Sequence, residues 1–142
     1  MSIPIESLEV LIMEDNKADA EVIRYLLEET GVHNVRFVTN GEEALSLLRK
    51  EGPYSSVPRP DLIMLDMQMP RMNGKEFLEK ADELIQGIYI VVISGYEKEA
   101  IGDMPHRTMI KPGTGEEIDR AAVIIKEIVG ELINRHTVAT LG

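Results

Sequence analysis

Three carboxylates, one hydroxyl and one ammonium in this sequence stand at equivalent places, each at the end of a short apolar run. Glu14 and Asp15 follow Val10–Met13, Asp66 follows Leu62–Leu65, Ser94 follows Ile88–Ile93, and Lys111 follows Thr108–Ile110. If those runs are strands of one parallel sheet, the five groups reach its carboxyl edge, where open α/β sheets bind ligands. Two like charges about 4 Å apart repel by roughly 4 kcal/mol at an effective dielectric near 20. Glu14, Asp15 and Asp66 in one crevice therefore require a cation or raised pKa values. A hard divalent cation meets that need, and magnesium suits it because it takes oxygen ligands and is shared between carboxylates and phosphate. The Ser94 hydroxyl and the Lys111 ammonium complement the oxygens of an arriving phosphoryl group, and Asp66 is the expected nucleophile.

The elements that must position these groups are legible in the hydropathy pattern. Val10–Met13, Val35–Val38, Leu62–Leu65, Ile88–Ile93 and Thr108–Ile110 are mostly continuous apolar runs, as strands covered on both faces should be. Segments of helical period separate them, which predicts an α/β domain with a parallel sheet. Val22, Ile23, Leu26 and Leu27 form one helical face stopped at Gly31. Asn40 with Glu43 predicts an N-terminal cap before Ala44, Leu45 and Leu48, and Phe77, Leu78, Ala81, Leu84 and Ile85 predict a third helix reaching Gly87. Thr114 and Glu117 form a capping box for a last helix whose stripe runs from Ile118 to Ile133. Beyond it, residues 134–142 lose the pattern and are expected to fray. The Pro- and Gly-rich stretch Glu51–Pro60 reads as a loop inside the domain.

Composition narrows the function classes. The 142 residues, 44% hydrophobic, fit one globular domain, expected over residues 8–133 with tails at 1–7 and 134–142 and no output domain. The sequence has no cysteine, which excludes disulfides, thiolate catalysis and Cys-based zinc sites. A formal charge of -10 repels a nucleic-acid backbone. There is no apolar run of membrane-spanning length and no signal-peptide pattern, so a cytoplasmic location is expected. His33, His106 and His136 have no ligand spacing. The methionines Met64, Met67, Met69 and Met72 suit core packing better than a binding surface. Val123 and Ile124 broaden the apolar face of the last helix and leave room for contact with a second copy or a partner.

The segments Val10–Asn16, Asp61–Pro70, Asn73-Gly74 and Lys111-Pro112 resemble the hallmark sequence of response-regulator receiver domains, over about residues 8–133. The long Pro-rich loop before Asp61 is similar to that of single-domain regulators serving cyanobacterial and bacterial phytochromes. The resemblance implies a flavodoxin-like, doubly wound five-stranded parallel sheet of order 2-1-3-4-5 with helices on both faces. It implies a two-component signalling protein, not a turnover enzyme. In it, Asp66 accepts a phosphoryl group from a sensor histidine kinase or a histidine phosphotransfer protein, and the protein assists its own phosphorylation and dephosphorylation. Asp15, Asp66 and the backbone carbonyl of Gln68 are implied ligands of Mg2+, with Glu14 acting through water. Ser94, Lys111 and the backbone N–H groups of Met67 and Gly95 are implied to bind the phosphoryl oxygens. The resemblance also implies a cis peptide bond between Lys111 and Pro112 that helps to aim the lysine. Output is expected through an unidentified downstream protein.

Two positions depart from the family pattern. Thr108 stands where the family has a Tyr or Phe switch residue three places before the lysine, and residues 95–105 leave room for at most a short fourth helix. Both point to a remodelled output face. Thr108 favours an alternative reading, a receiver-fold adaptor that signals without phosphorylation. A third reading, a hydrolase with an aspartyl-phosphate intermediate of the haloacid dehalogenase kind, requires an Asp two residues after the nucleophile. Gln68 occupies that place.

Overall fold

Each of the five apolar runs forms a strand, all parallel: β1 (Glu9–Met13), β2 (Asn34–Val38), β3 (Leu62–Asp66), β4 (Tyr89–Ser94) and β5 (Arg107–Ile110). Their order in the sheet is β2-β1-β3-β4-β5, as the sequence predicts. The structure, a computed structural model, describes residues 4–94 and 107–141, with side chains through Ile93 and from Arg107 to Arg135. The expected short fourth helix, Gly95 and His106 lie outside the described residues, as does the side chain of His136.

The alternation of side chains along a strand divides the core in two. Val10, Ile12, Leu62, Met64, Val91 and Ile93 face one side, where they pack with Ala20, Ile23, Leu26 and Leu27 of α1 (Lys17–Glu29) and Ala121, Ile125, Ile128, Val129 and Leu132 of α4 (Gly115–Leu141). Leu11, Met13, Ile63, Leu65, Ile90 and Val92 face the other side, against α2 (Gly41–Leu48) and α3 (Gly74–Lys80). Helices on both faces explain why these strands are apolar at consecutive positions. Met64, Met69 and Met72 are buried, Met64 on one face of the sheet and the other two on the opposite face with Met67 packed against their cluster, so the methionines are core residues.

The helix signals act where the sequence places them. Asn40 Oδ1 accepts the Glu43 N–H at 2.9 Å. Thr114 Oγ1 accepts the Glu117 N–H at 3.3 Å while Glu117 Oε1 accepts the Thr114 N–H at 2.9 Å, which completes the capping box. Gly31, at φ 101°, adopts the left-handed backbone that ends α1.

Two boundaries differ from expectation. α3 ends at Lys80, and residues 81–87 continue as turns to Gly87 at φ 81°. Arg59, in the Pro-rich loop, donates to the carbonyls of Leu84 and Gln86 at 3.1 and 2.5 Å, giving them partners outside any helix. At the other end of the chain α4 runs through Leu141 instead of fraying from Asn134. Residues 134–141 contain neither Gly nor Pro, so losing the apolar stripe removes packing but not the means to continue the backbone ladder.

Candidate functional site

Strand register sets the site. Met13 pairs with Leu65, Asp66 with Ile93, and Ser94 with Ile110, so β1, β3, β4 and β5 end side by side. One step beyond Met13, Glu14 donates its N–H to the Val38 carbonyl at 3.0 Å. One ligand oxygen from each of Glu14, Asp15 and Asp66 lies within 4.8 Å of the others. Among the described residues this is the one such cluster of potential metal ligands, and His33 is not in it. Glu14 and Asp66 are 4% and 5% exposed, whereas Asp15 is open to solvent.

Lys111, immediately after β5, reaches into this cluster. Its Nζ lies 2.8 Å from Glu14 Oε1 and 3.1 Å from Asp66 Oδ2. Burial acts to lower the lysine pKa, but hydrogen bonds with Glu14, Asp19 and Asp66 outweigh it and hold the ammonium above its ordinary range. Burial, reinforced by the contact with Asp66, pushes the Glu14 carboxyl up to about 8 against the opposing pull of Lys111. The Glu14 Oε2 atom is buried with no hydrogen-bond partner among the described residues. An orphaned buried oxygen beside two further carboxylates fits a hard divalent cation, whose bound water would supply the missing partner and whose charge would favour the ionised form.

The loop after β3 is shaped around Asp66. The Gln68 N–H donates to Asp66 Oδ1 at 3.0 Å, while Lys111 holds Oδ2. The Met67 carbonyl accepts the Gly74 N–H at 3.1 Å. A Cβ on Gly74 would lie 2.6 Å from Met67 Sδ and 3.0 Å from Met67 Cα, so only glycine lets α3 start this close to the strand end. Arg71, at φ 65°, takes a left-handed conformation in the same loop.

Of the residues singled out in the sequence, Glu14, Asp15, Asp66 and Lys111 come together, with the backbone of Gln68 against them. Ser94 ends β4 beside Ile110, and Pro112 is buried behind Lys111. Thr108 is exposed on β5. Sequence reasoning missed Asp19, whose Oδ2 lies 3.1 Å from Lys111 Nζ. Its signal was available only through the Asn16 cap, which places Asp19 in the first turn of α1 next to the acidic strand end.

A family model of the response regulator receiver domain matches residues 10–112. The chain belongs to the response regulator receiver family. Receiver domains of this family act in two-component signalling. This receiver domain is similar to the response regulator Rcp1 of Synechocystis, at 31% identity over 93 residues, 63% of each chain. It is 31% identical over 127 residues to the probable methanogenesis regulatory protein FilR2 of Methanothrix harundinacea, covering 83% of this chain and 81% of that one. It is also 34% identical over 89 residues to the polar-differentiation response regulator DivK of Brucella anthropi, 61% of this chain and 66% of that one. The matched segments thus span just under two thirds of Rcp1 and DivK. The crystal structure of the phosphorylated cyanobacterial phytochrome response regulator RcpA superimposes with a TM-score of 0.72 at 32% identity, covering 85% of this chain and 90% of that one. The Mn2+-bound form of Rcp1, at 23% identity, shares the fold with a TM-score of 0.74 over 89% of this chain and 94% of that one. No described helix of the receiver domain is long and apolar enough to cross a membrane.

Proposed function

We propose that this receiver domain accepts a phosphoryl group on Asp66 from the phosphohistidine of a sensor histidine kinase or a histidine phosphotransfer protein. The observation that carries the reading is the bridge made by Lys111 Nζ between the buried Asp66 Oδ2 and Glu14 Oε1, at 3.1 and 2.8 Å. It puts a cation directly against the nucleophile, where charge develops as phosphorus is transferred.

The Asp66 oxygen attacks phosphorus, a P–O bond forms, and the P–N bond to the donor histidine breaks with its electron pair returning to the imidazole ring. Lys111 neutralises a phosphoryl oxygen, and the Ser94 hydroxyl and the N–H groups of Met67 and Gly95 bind the others. Asp15, Asp66 and the Gln68 carbonyl would hold a Mg2+ ion, with Glu14 joined through water. When bound, that ion neutralises the negative charge of the carboxylates and the phosphoryl group. Buried Pro112 limits the backbone freedom of Lys111 and so helps to aim its side chain. The receiver unit spans residues 8–133, works in the cytoplasm and passes the phosphorylated state to a downstream protein. It acts as a phosphoacceptor, assisting its own dephosphorylation without turning over other substrates.

Intact-mass analysis after incubation with a small-molecule phosphodonor tests this. Wild type should gain one phosphoryl group with magnesium and none without it, and Asp66→Asn should gain none. Failure of folded, magnesium-loaded wild type to gain the group would favour a phosphorylation-independent adaptor. The exposed Thr108 supports that second reading, since no aromatic ring stands at this position to be buried on activation.

A further inference from the structure

Among the described residues Lys111 has three carboxylate partners, and they are not equivalent. Glu14 at 2.8 Å and Asp66 at 3.1 Å have side chains only 2% and 8% exposed and belong to the cation cluster. Asp19, also at 3.1 Å, lies outside that cluster with a side chain 34% exposed. It occupies the third position of α1, where its N–H is held by Asn16 Oδ1 at 3.0 Å. The lysine is 30% exposed and has a four-carbon stem with many rotamers, so its ammonium stays at Asp66 only if something holds it there.

We propose that Asp19 is a positioning residue that anchors the Lys111 ammonium beside Asp66 once a divalent cation has taken up the charge of Glu14 and Asp66. The inference rests on the phosphoacceptor reading for its purpose, though not for its test. A cation at the cluster competes with Lys111 for the oxygens of Glu14 and Asp66, and Asp19 is then the partner that keeps its full charge for the lysine. It holds the ammonium from the solvent side, and the orientation needed to meet a phosphoryl oxygen is set before the donor arrives. An acid at this position also suits the helix dipole, so a purely helix-stabilising role is the reading to separate.

The first measurement is residue-resolved acylation of lysines in the magnesium-loaded protein, with exposed Lys75 and Lys126 as internal references. Asp19→Asn should raise the labelling rate of Lys111 about fivefold, relative to the references, and Asp19→Glu should restore much of the protection. Equal labelling of Lys111 in wild type and Asp19→Asn would overturn the proposal. The second is a double-mutant cycle on phosphodonor kinetics. Asp19→Asn should slow phosphorylation about tenfold when Lys111 is present and have no effect in a Lys111→Met background. The same slowing in both backgrounds would assign Asp19 to the helix instead. A wild type that takes no phosphoryl group would count against the phosphoacceptor reading, while the labelling result would still decide the role of Asp19.

Discussion

The two ends of the sheet both gather charged side chains, yet they balance them differently. At the amino end, the Tyr89 hydroxyl donates to Glu131 Oε2 at 2.5 Å, and Arg107 meets Glu127 at 2.5 Å and Glu131 at 3.7 Å. The Arg135 guanidinium lies 5.6 Å above the Tyr89 ring. Burial first, then the Glu131 carboxylate, push the Tyr89 phenol up to about 12, so it remains a donor at any physiological pH. Each group there has an opposite or complementary neighbour, and the cluster ties β4 and β5 to α4. At the carboxyl end, Glu14, Asp66 and Asp19 share Lys111, Asp15 adds a further carboxylate beside them, and among the described residues Glu14 Oε2 has no partner. A satisfied network stabilises the architecture, whereas a buried excess of one sign is costly without a ligand and so marks the place where one belongs.

The largest effect expected from breaking this contrast is at Lys111. Lys111→Met should lower the phosphorylation rate of Asp66 about a hundredfold, the scale of losing one preorganised charge-stabilising donor. It should also cost the metal-free protein roughly 2 kcal/mol, because buried carboxylates lose their donor. Stopped kinetics with a small phosphodonor and urea unfolding measure the two effects separately.

Next in size is the pH dependence of the unbalanced end. Glu14 has a folded-state pKa of about 8 against an ordinary value of 4.5. The folded state therefore binds more protons than the unfolded one between those values, and its stability falls as pH rises through that window. The expected slope is roughly 1 kcal/mol per pH unit without divalent cations. Urea unfolding at pH 6 and pH 8.5 should show the loss, Glu14→Gln should flatten it, and saturating magnesium should abolish it by favouring the ionised carboxylate.

The fold was legible because its signals are local. A strand of this sheet is a short apolar run, its end is the first polar residue, and the α/β alternation makes the sheet parallel, while the order of neighbours came from the resemblance to receiver domains. Glu14, Asp15, Asp66 and Lys111 could be read that way. Asp19 could not, because its meeting with Lys111 depends on how α1 docks beside the end of β5, a relation between residues far apart in the chain. The end of α3 was hidden for a similar reason: Arg59, on a distant loop, takes the carbonyls that a longer helix would have used. The length of α4 misled differently, since an apolar stripe reports where a helix packs and not where it stops.

The balanced end should give smaller effects confined to stability. Tyr89→Phe removes one hydrogen bond to a carboxylate and should cost about 1 kcal/mol, with the phosphorylation rate unchanged. Arg107→Gln breaks ion pairs to half-exposed Glu127 and Glu131 and should cost less than about 1 kcal/mol. Thermal and urea unfolding beside phosphodonor kinetics would sharpen the comparison. A slowing of phosphorylation by either variant would mean that the two ends are coupled.

The most direct test of the central claim is to locate the acyl phosphate itself. Wild-type protein would be treated with magnesium and phosphodonor, reduced with borohydride to convert any aspartyl phosphate to homoserine, and mapped by peptide mass spectrometry. Homoserine at position 66, dependent on magnesium, is the expected result. Homoserine at Asp15, Asp19 or Asp61, or at no position in a folded protein with magnesium bound, would contradict it.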